Sequence, residues 1–122
     1  MKLTKNFNKS EFECKCGCEM PEAVLLEVTR LANELQHIRD FVHKPMNLTN
    51  AYRCPEHNKK VGGVSNSQHI LGKAADIQIE ELEPSEVYKT IDNLTDHGHI
   101  VQGGLGKYNT FTHYDIRGTK AR

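Results

Sequence analysis

The chain has 122 residues, of which 37% are hydrophobic, and its sixteen basic and sixteen acidic side chains cancel to a net charge of zero. This length supports one compact domain spanning 1–122 and is too short to divide into two. The balanced charge gives no electrostatic reason for nucleic acid or an anionic membrane as a partner and more easily accommodates a neutral or mixed-charge substrate; a monomer is the expectation.

No apolar run follows the lysines of "MKLTKNFNKSEF", and no stretch reaches the ~20 apolar residues that span a bilayer. Synthesis in the cytoplasm without a signal peptide is therefore expected, with some other agent releasing the protein to any target outside the membrane. The next segment, "ECKCGCEMP", carries Cys14, Cys16 and Cys18 in a C-x-C-x-C spacing rather than the C-x2-C knuckle of zinc ribbons. With Cys54 these thiols leave three states open: a structural metal site completed by Cys54, reduced thiols, or one disulfide to Cys54. A cytoplasmic origin argues against an obligatory disulfide. Residues 1–20 are expected to pack as a cysteine-containing segment on the rest of the domain.

From Pro21, "PEAVLLEVTRLANELQHIRDF" places Val24, Leu25, Val28, Leu31, Leu35 and Ile38 at steps of three and four, the stripe of an amphipathic helix with Pro21 in its first turn. "MNLTNAYR" reads as a short strand bounded by Pro45 and Pro55 that delivers Arg53 to its end, and "PEHNKKVGG" as a brief helix stopped by glycine. In "AADIQIE", Ala75, Ile77 and Ile79 alternate with Ala74, Asp76 and Gln78, so Asp76 points away from the apolar face. "PSEVYKTIDNLTDHG" is a second amphipathic helix with Val87, Tyr88, Ile91 and Leu94 on one face. Two strands, "GGLGKY" and "FTHYDIR", follow around a turn at Asn109. Helices among at least four strands without a regular βαβ alternation predict an α+β domain.

A catalytic zinc takes three protein ligands and leaves a position for water. In "SQHILGKAAD", His69 and Asp76 bracket a turn containing Gly72, so a loop returning into a strand brings both to one point. The last strand supplies a third ligand, since its alternation places Phe111, His113, Asp115 and Arg117 on one face. Taken singly, a histidine before a loop is more often a surface or capping residue and a mid-strand aspartate is more often solvated. The set of His69, Asp76 and His113 with Arg53 at the end of an earlier strand carries the argument. His37, His43, His97 and His99 lie at helix ends, where histidine suits the dipole; His57 is close enough in sequence to Arg53 to line a cleft but reads as structural. Tyr108 and Tyr114 read as strand tyrosines that pack, with substrate contact the alternative.

"YRCPEHN", "SQHILGKAADI" and "FTHYDIRG" resemble the three motifs of the zinc D-alanyl-D-alanine carboxypeptidase family, which includes phage L-alanyl-D-glutamate endolysins and bacterial murein endopeptidases and shares its fold with the Hedgehog signalling domain. The resemblance runs from Phe12 to Arg117, is closest to small phage and prophage members, and rests most specifically on S-x-H-x-x-G-x-A-x-D. It implies a mostly antiparallel sheet with flanking helices, one catalytic Zn2+ held by His69, Asp76 and His113, and peptidoglycan peptides as substrate. A second, structural ion at the cysteines stays open. The resemblance also implies that Arg53 holds the substrate carbonyl or its developing oxyanion and that Ser67 lies near the substrate. Several members have a Glu or Asp general base three residues before the last histidine ligand, where this chain has Thr110. Asp115 fits the H-x-D pattern of smaller members and has two readings, catalytic base or orienting partner of a metal ligand. A zinc peptidase of the cell wall and a non-catalytic zinc-containing peptidoglycan-binding or virion structural protein are thus both expectations, the second kept open by Thr110.

Overall fold

The apolar stripe that begins at Val24 winds into α1, Glu22–Val42, in a computed structural model that covers residues 1–122. Val28, Leu31, Leu35 and Ile38 are wholly buried, while Val24 and Leu25 pack at the margin of the core. Each buried side chain of this size contributes roughly 2 kcal/mol of transfer free energy. Pro21 sits one position earlier than expected, at the N-cap in an extended conformation (φ −61°, ψ 152°), because its ring tolerates that backbone and the helix starts at Glu22. The helix ends at His43, in the left-handed region at φ 55°, whose N–H donates to the Arg39 carbonyl.

The strands β1 (Met46–Asn50), β2 (Ala74–Ile79), β3 (Leu105–Lys107) and β4 (Thr112–Asp115) form one antiparallel sheet in the order β1-β2-β4-β3. With α1, the short α2 (Pro55–Lys60) and α3 (Pro84–Asp96), this makes a small α+β domain with three α-helices. No helix is long and apolar enough to cross a membrane. In α3, Pro84 opens the helix inside a Glu83–Glu86 capping box, and Val87, Ile91 and Leu94 are buried. The ring Nδ1–H of His97 donates to the Asn93 carbonyl at 2.8 Å, closing the helix end as its position predicts.

Directly opposed residues of an antiparallel pair share a face. Ala75 pairs with Tyr114 and Ile77 with Thr112, and all four are fully buried on the core face. The Tyr114 hydroxyl, inside that core, donates to the Val101 carbonyl at 2.6 Å, so this tyrosine packs. Asp76 pairs with His113 on the opposite face, with Gly106 of β3 alongside His113. The alternation in "AADIQI" therefore separates core from site.

β1 is shorter than the sequence pattern predicts: its pairing with β2 passes through a register shift between Leu48 and Asn50 and ends at the Asn50–Asp76 pair. Ala51 to Cys54 then run as extended backbone outside the sheet, held by an Arg53 N–H bond to the His69 carbonyl at 3.1 Å and a Tyr52 N–H bond to the Phe12 carbonyl at 3.1 Å. The second bond fastens the N-terminal segment to the site-bearing strand. A short 3-10 helix at Lys9–Phe12, which no periodicity announced, buries Phe12 beside Phe7 with their rings edge-on at 6.1 Å.

Candidate functional site

The turn before β2 carries Ser67 and His69, and both its geometry and its glycine are constrained. Gly72 has φ +76°, and a Cβ there would lie 2.8 Å from Val24 Cγ1 and 3.0 Å from the Val24 carbonyl oxygen. Only glycine lets the turn lie this close to α1. The Ser67 hydroxyl accepts the His69 N–H at 3.1 Å, and the His69 Nδ1–H donates to the Ala51 carbonyl at 2.6 Å. That bond fixes the tautomer, leaving the Nε2 lone pair facing Asp76 Oδ1 at 3.3 Å.

His113 is oriented from the other side. Its Nε2–H donates to Asp115 Oδ2 at 2.8 Å, which leaves Nδ1 facing the same Asp76 Oδ1 at 3.2 Å. The two imidazole rings stand edge-to-face with centroids 5.2 Å apart. Ligand atoms of His69, Asp76 and His113 all lie within 4.8 Å of one another. With metal–ligand bonds of about 2.0–2.1 Å, a tetrahedral site needs ligand separations of roughly 3.4 Å, so the observed spacings fit a zinc ion. Each imidazole also has its outer nitrogen anchored, the arrangement that orients histidine ligands and raises their basicity.

Asp115 is 0% exposed and does not itself line the cleft, although its partners Gly104, His113 and Arg117 do. Oδ1 accepts the N–H of Gly104 (2.9 Å), the N–H of Arg117 (3.2 Å) and Arg117 Nε (2.9 Å), while Oδ2 accepts Arg117 Nη2 (2.8 Å) as well as His113. A Cβ at Gly104 would collide with this carboxylate, so the glycine permits the backbone contact. Burial alone would raise the Asp115 pKa, but the hydrogen bonds from Arg117 and His113 and from the two backbone N–H groups hold it well below the usual carboxylate range. Burial likewise opposes charge on Asp76, yet with no metal bound a proton can take its place on the facing imidazole nitrogens, and the hydrogen bonds that His113 and His69 then donate hold Asp76 down to about 2. For His113, burial disfavours the cation, and the bonds to Asp115 and Asp76 outweigh it and raise the pKa to about 9. The site is thus built to hold positive charge between carboxylates.

His69, Asp76 and His113 open on a cleft of about 630 Å³. Arg53 reaches it half-buried, with Nη2 donating to Ser67 Oγ at 3.4 Å, no carboxylate partner, and a buried Nε that has no acceptor. Arg117 and Arg122 also line the cleft, as do Tyr108 and Phe111, stacked at 4.7 Å. Tyr108 is exposed and lies in the cleft wall, unlike buried Tyr114. Thr110 lies in the exposed turn before β4, where its carbonyl accepts Gln78 Nε2 at 2.8 Å. His57 lines a separate depression beside Cys16, Cys18 and Cys54 rather than this cleft.

The structure thus brings together Arg53, Ser67, His69, Asp76 and His113, with Asp115 beneath His113. Sequence reasoning assigned no role to Gly104, Arg122 or the Ala51 carbonyl. The glycine pair before β3 was a usable signal for the first. A main-chain acceptor leaves no trace in residue identity.

A small α+β domain with two histidines and an aspartate converging at the floor of an arginine-lined cleft has the form of a mononuclear metallohydrolase. Residues 4–115 match the Peptidase M15 family, and the chain belongs to it. This is the family to which the three sequence motifs point. No curated protein matches the chain.

Proposed function

We propose that this chain is a zinc-dependent peptidase that hydrolyses an amide bond in the stem peptides or crosslinks of peptidoglycan, in the manner of a phage or prophage endolysin. The observation that carries this reading is the convergence of His69 Nε2 and His113 Nδ1 on Asp76 Oδ1 at 3.3 and 3.2 Å, beneath an Arg53 without a counter-ion. A zinc ion bound there would supply Lewis-acid polarisation of an amide carbonyl and a water of pKa lowered toward ~7. His69, Asp76 and His113 would hold it, and the Ala51 carbonyl and Asp115 keep the two imidazoles in the required tautomers.

The remaining residues act on the substrate. Arg53 brings a permanent cation to the cleft wall, suited to a carbonyl oxygen that gains negative charge as the amide is attacked. Ser67 holds that guanidinium in place. Arg117 and Arg122 also line the cleft but are paired with Asp115 and Asp92, which leaves Arg53 as the cleft arginine free to meet a substrate oxygen. Of the two readings of Asp115, its contacts support the positioning one, because the carboxylate is 0% exposed and both its oxygens are taken up by His113, Arg117 and the Gly104 N–H.

A second reading, a zinc-containing peptidoglycan-binding or virion structural protein without turnover, is favoured by one observation. Among the residues lining the cleft, Asp76 is the only carboxylate, so no free acid–base group faces the substrate. The deciding experiment is mass spectrometry of products released from purified sacculi by the zinc-loaded chain, beside a His69→Ala control. Fragments that require His69 support the peptidase, and their new termini name the bond. Zinc-loaded protein that binds sacculi and releases nothing from several wall chemistries supports the binding module.

A further inference from the structure

Away from the cleft, Cys14, Cys16, Cys18 and Cys54 place their four sulfurs within 4.8 Å of one another, and none is in a disulfide. Cys14 and Cys16 sulfurs are 3.3 Å apart, and Cys16 and Cys54 sulfurs 3.6 Å. Tetrahedral zinc with Zn–S bonds of about 2.3 Å needs sulfur separations of roughly 3.8 Å, so these sulfurs lie near the corners of such a site. The backbone is shaped for it. Gly17, at φ +83°, turns the C-x-C-x-C loop back, with its N–H on the Cys14 carbonyl at 3.0 Å. Backbone N–H groups also point at sulfur: Cys54 N to Cys14 Sγ and His57 N to Cys54 Sγ, both 3.4 Å. Such N–H···S contacts stabilise thiolate ligands.

Disulfides account for the cluster poorly. Any scheme pairing all four cysteines must join two of Cys14, Cys16 and Cys18, which closes a loop of only three or five residues and constrains the bond geometry tightly. A single Cys54 disulfide would leave two further sulfurs gathered at the same point with no purpose.

The geometry points to a second zinc site, structural and closed, in which all four cysteines hold one ion and clamp the N-terminal segment to the residue after Arg53. Its role follows from chain position. Cys54 directly follows the cleft arginine, while Cys14, Cys16 and Cys18 lie in a segment held otherwise by Phe7, Phe12 and Met20 in the core and by the Tyr52–Phe12 backbone bond. A closed four-sulfur site contributes folding free energy directly, as in small zinc-dependent domains. It fixes Arg53 from behind, as Ser67 does from the front.

The test counts metal and reads its ligands on the full chain, independently of any peptidase activity. Zinc is measured by elemental mass spectrometry, and Co2+ replaces it for absorption spectroscopy. Wild type is expected to hold two ions per chain. A His69→Ala/His113→Ala variant should keep one, and its cobalt form should show thiolate-to-cobalt charge-transfer absorption. A Cys16→Ser/Cys18→Ser variant should lose that ion and that absorption. If the cysteine variant does not fold, the histidine variant decides alone. A metal-free histidine variant, a cobalt form without thiolate absorption, or thiol titration of the unfolded chain showing a disulfide would each overturn the second site. A wild-type chain that holds both ions and releases nothing from sacculi would instead count against the peptidase reading alone.

Discussion

Replacing Asp115 by Asn separates two roles that the same side chain could play. Asparagine preserves the shape but converts one oxygen into an amide N–H2. At Oδ2 that group would face His113 Nε2 and Arg117 Nη2, and at Oδ1 it would face the Gly104 N–H and Arg117 Nε, so either orientation sets donor against donor. Hydrogen bonds to charged partners contribute about 1.5–3 kcal/mol each. Arg117 is 36% exposed and recovers water when its partner loses charge, which reduces the cost. The expected loss of stability is therefore about 2–4 kcal/mol. With the His113 tautomer no longer enforced, zinc affinity should fall roughly 10–100-fold. Chelator competition measures the affinity, thermal unfolding the stability, and product release at saturating zinc the chemistry. Unchanged affinity and stability, with turnover at saturating zinc down roughly 10²–10⁴-fold, would refute the positioning role and make Asp115 the general base.

Arg53→Ala should lower turnover about 10²–10³-fold with the His69–Asp76–His113 zinc retained, and Arg53→Lys should recover only part because an ammonium lacks the planar fork; a lysine variant as active as wild type would remove the fork from the explanation. Gly72→Ala forces a side chain into φ +76° and against Val24, for a combined cost of about 2–4 kcal/mol. Calorimetry should show a clear fall in melting temperature, and an unchanged value would mean that α1 and the turn separate freely. Tyr114→Phe leaves the Val101 carbonyl without its donor and should cost about 1 kcal/mol in denaturant unfolding. Its zinc affinity should be unchanged, since Tyr114 faces the core, and a large loss would show that the two faces of the sheet are coupled.

The order and type of the main elements could be read from periodicity, because burial on one face imposes it locally. The stripe from Val24 to Ile38 became α1, the "AADIQI" alternation became β2, and Pro84 opened α3. The ends were less legible. β1 stops at Asn50 rather than Arg53, after the Asn50–Asp76 pair, and where pairing ends depends on the partner strand. The exposed tyrosine of the cleft and the buried one of the core have similar strand contexts, and only packing separates Tyr108 from Tyr114.

For the site, residue types and motif spacing were enough to nominate His69, Asp76, His113 and Arg53, since metal ligation needs particular side-chain chemistry and chemistry is written in residue identity. The structure supplied their separations, their tautomers and the burial of Asp115, which depend on backbone carbonyls and N–H groups contributed by Ala51 and Gly104. The cysteines show the same division. Their spacing alone left metal, thiols and disulfide open, because Cys54 is far from Cys14 along the chain and only the folded backbone fixes the distance between their sulfurs.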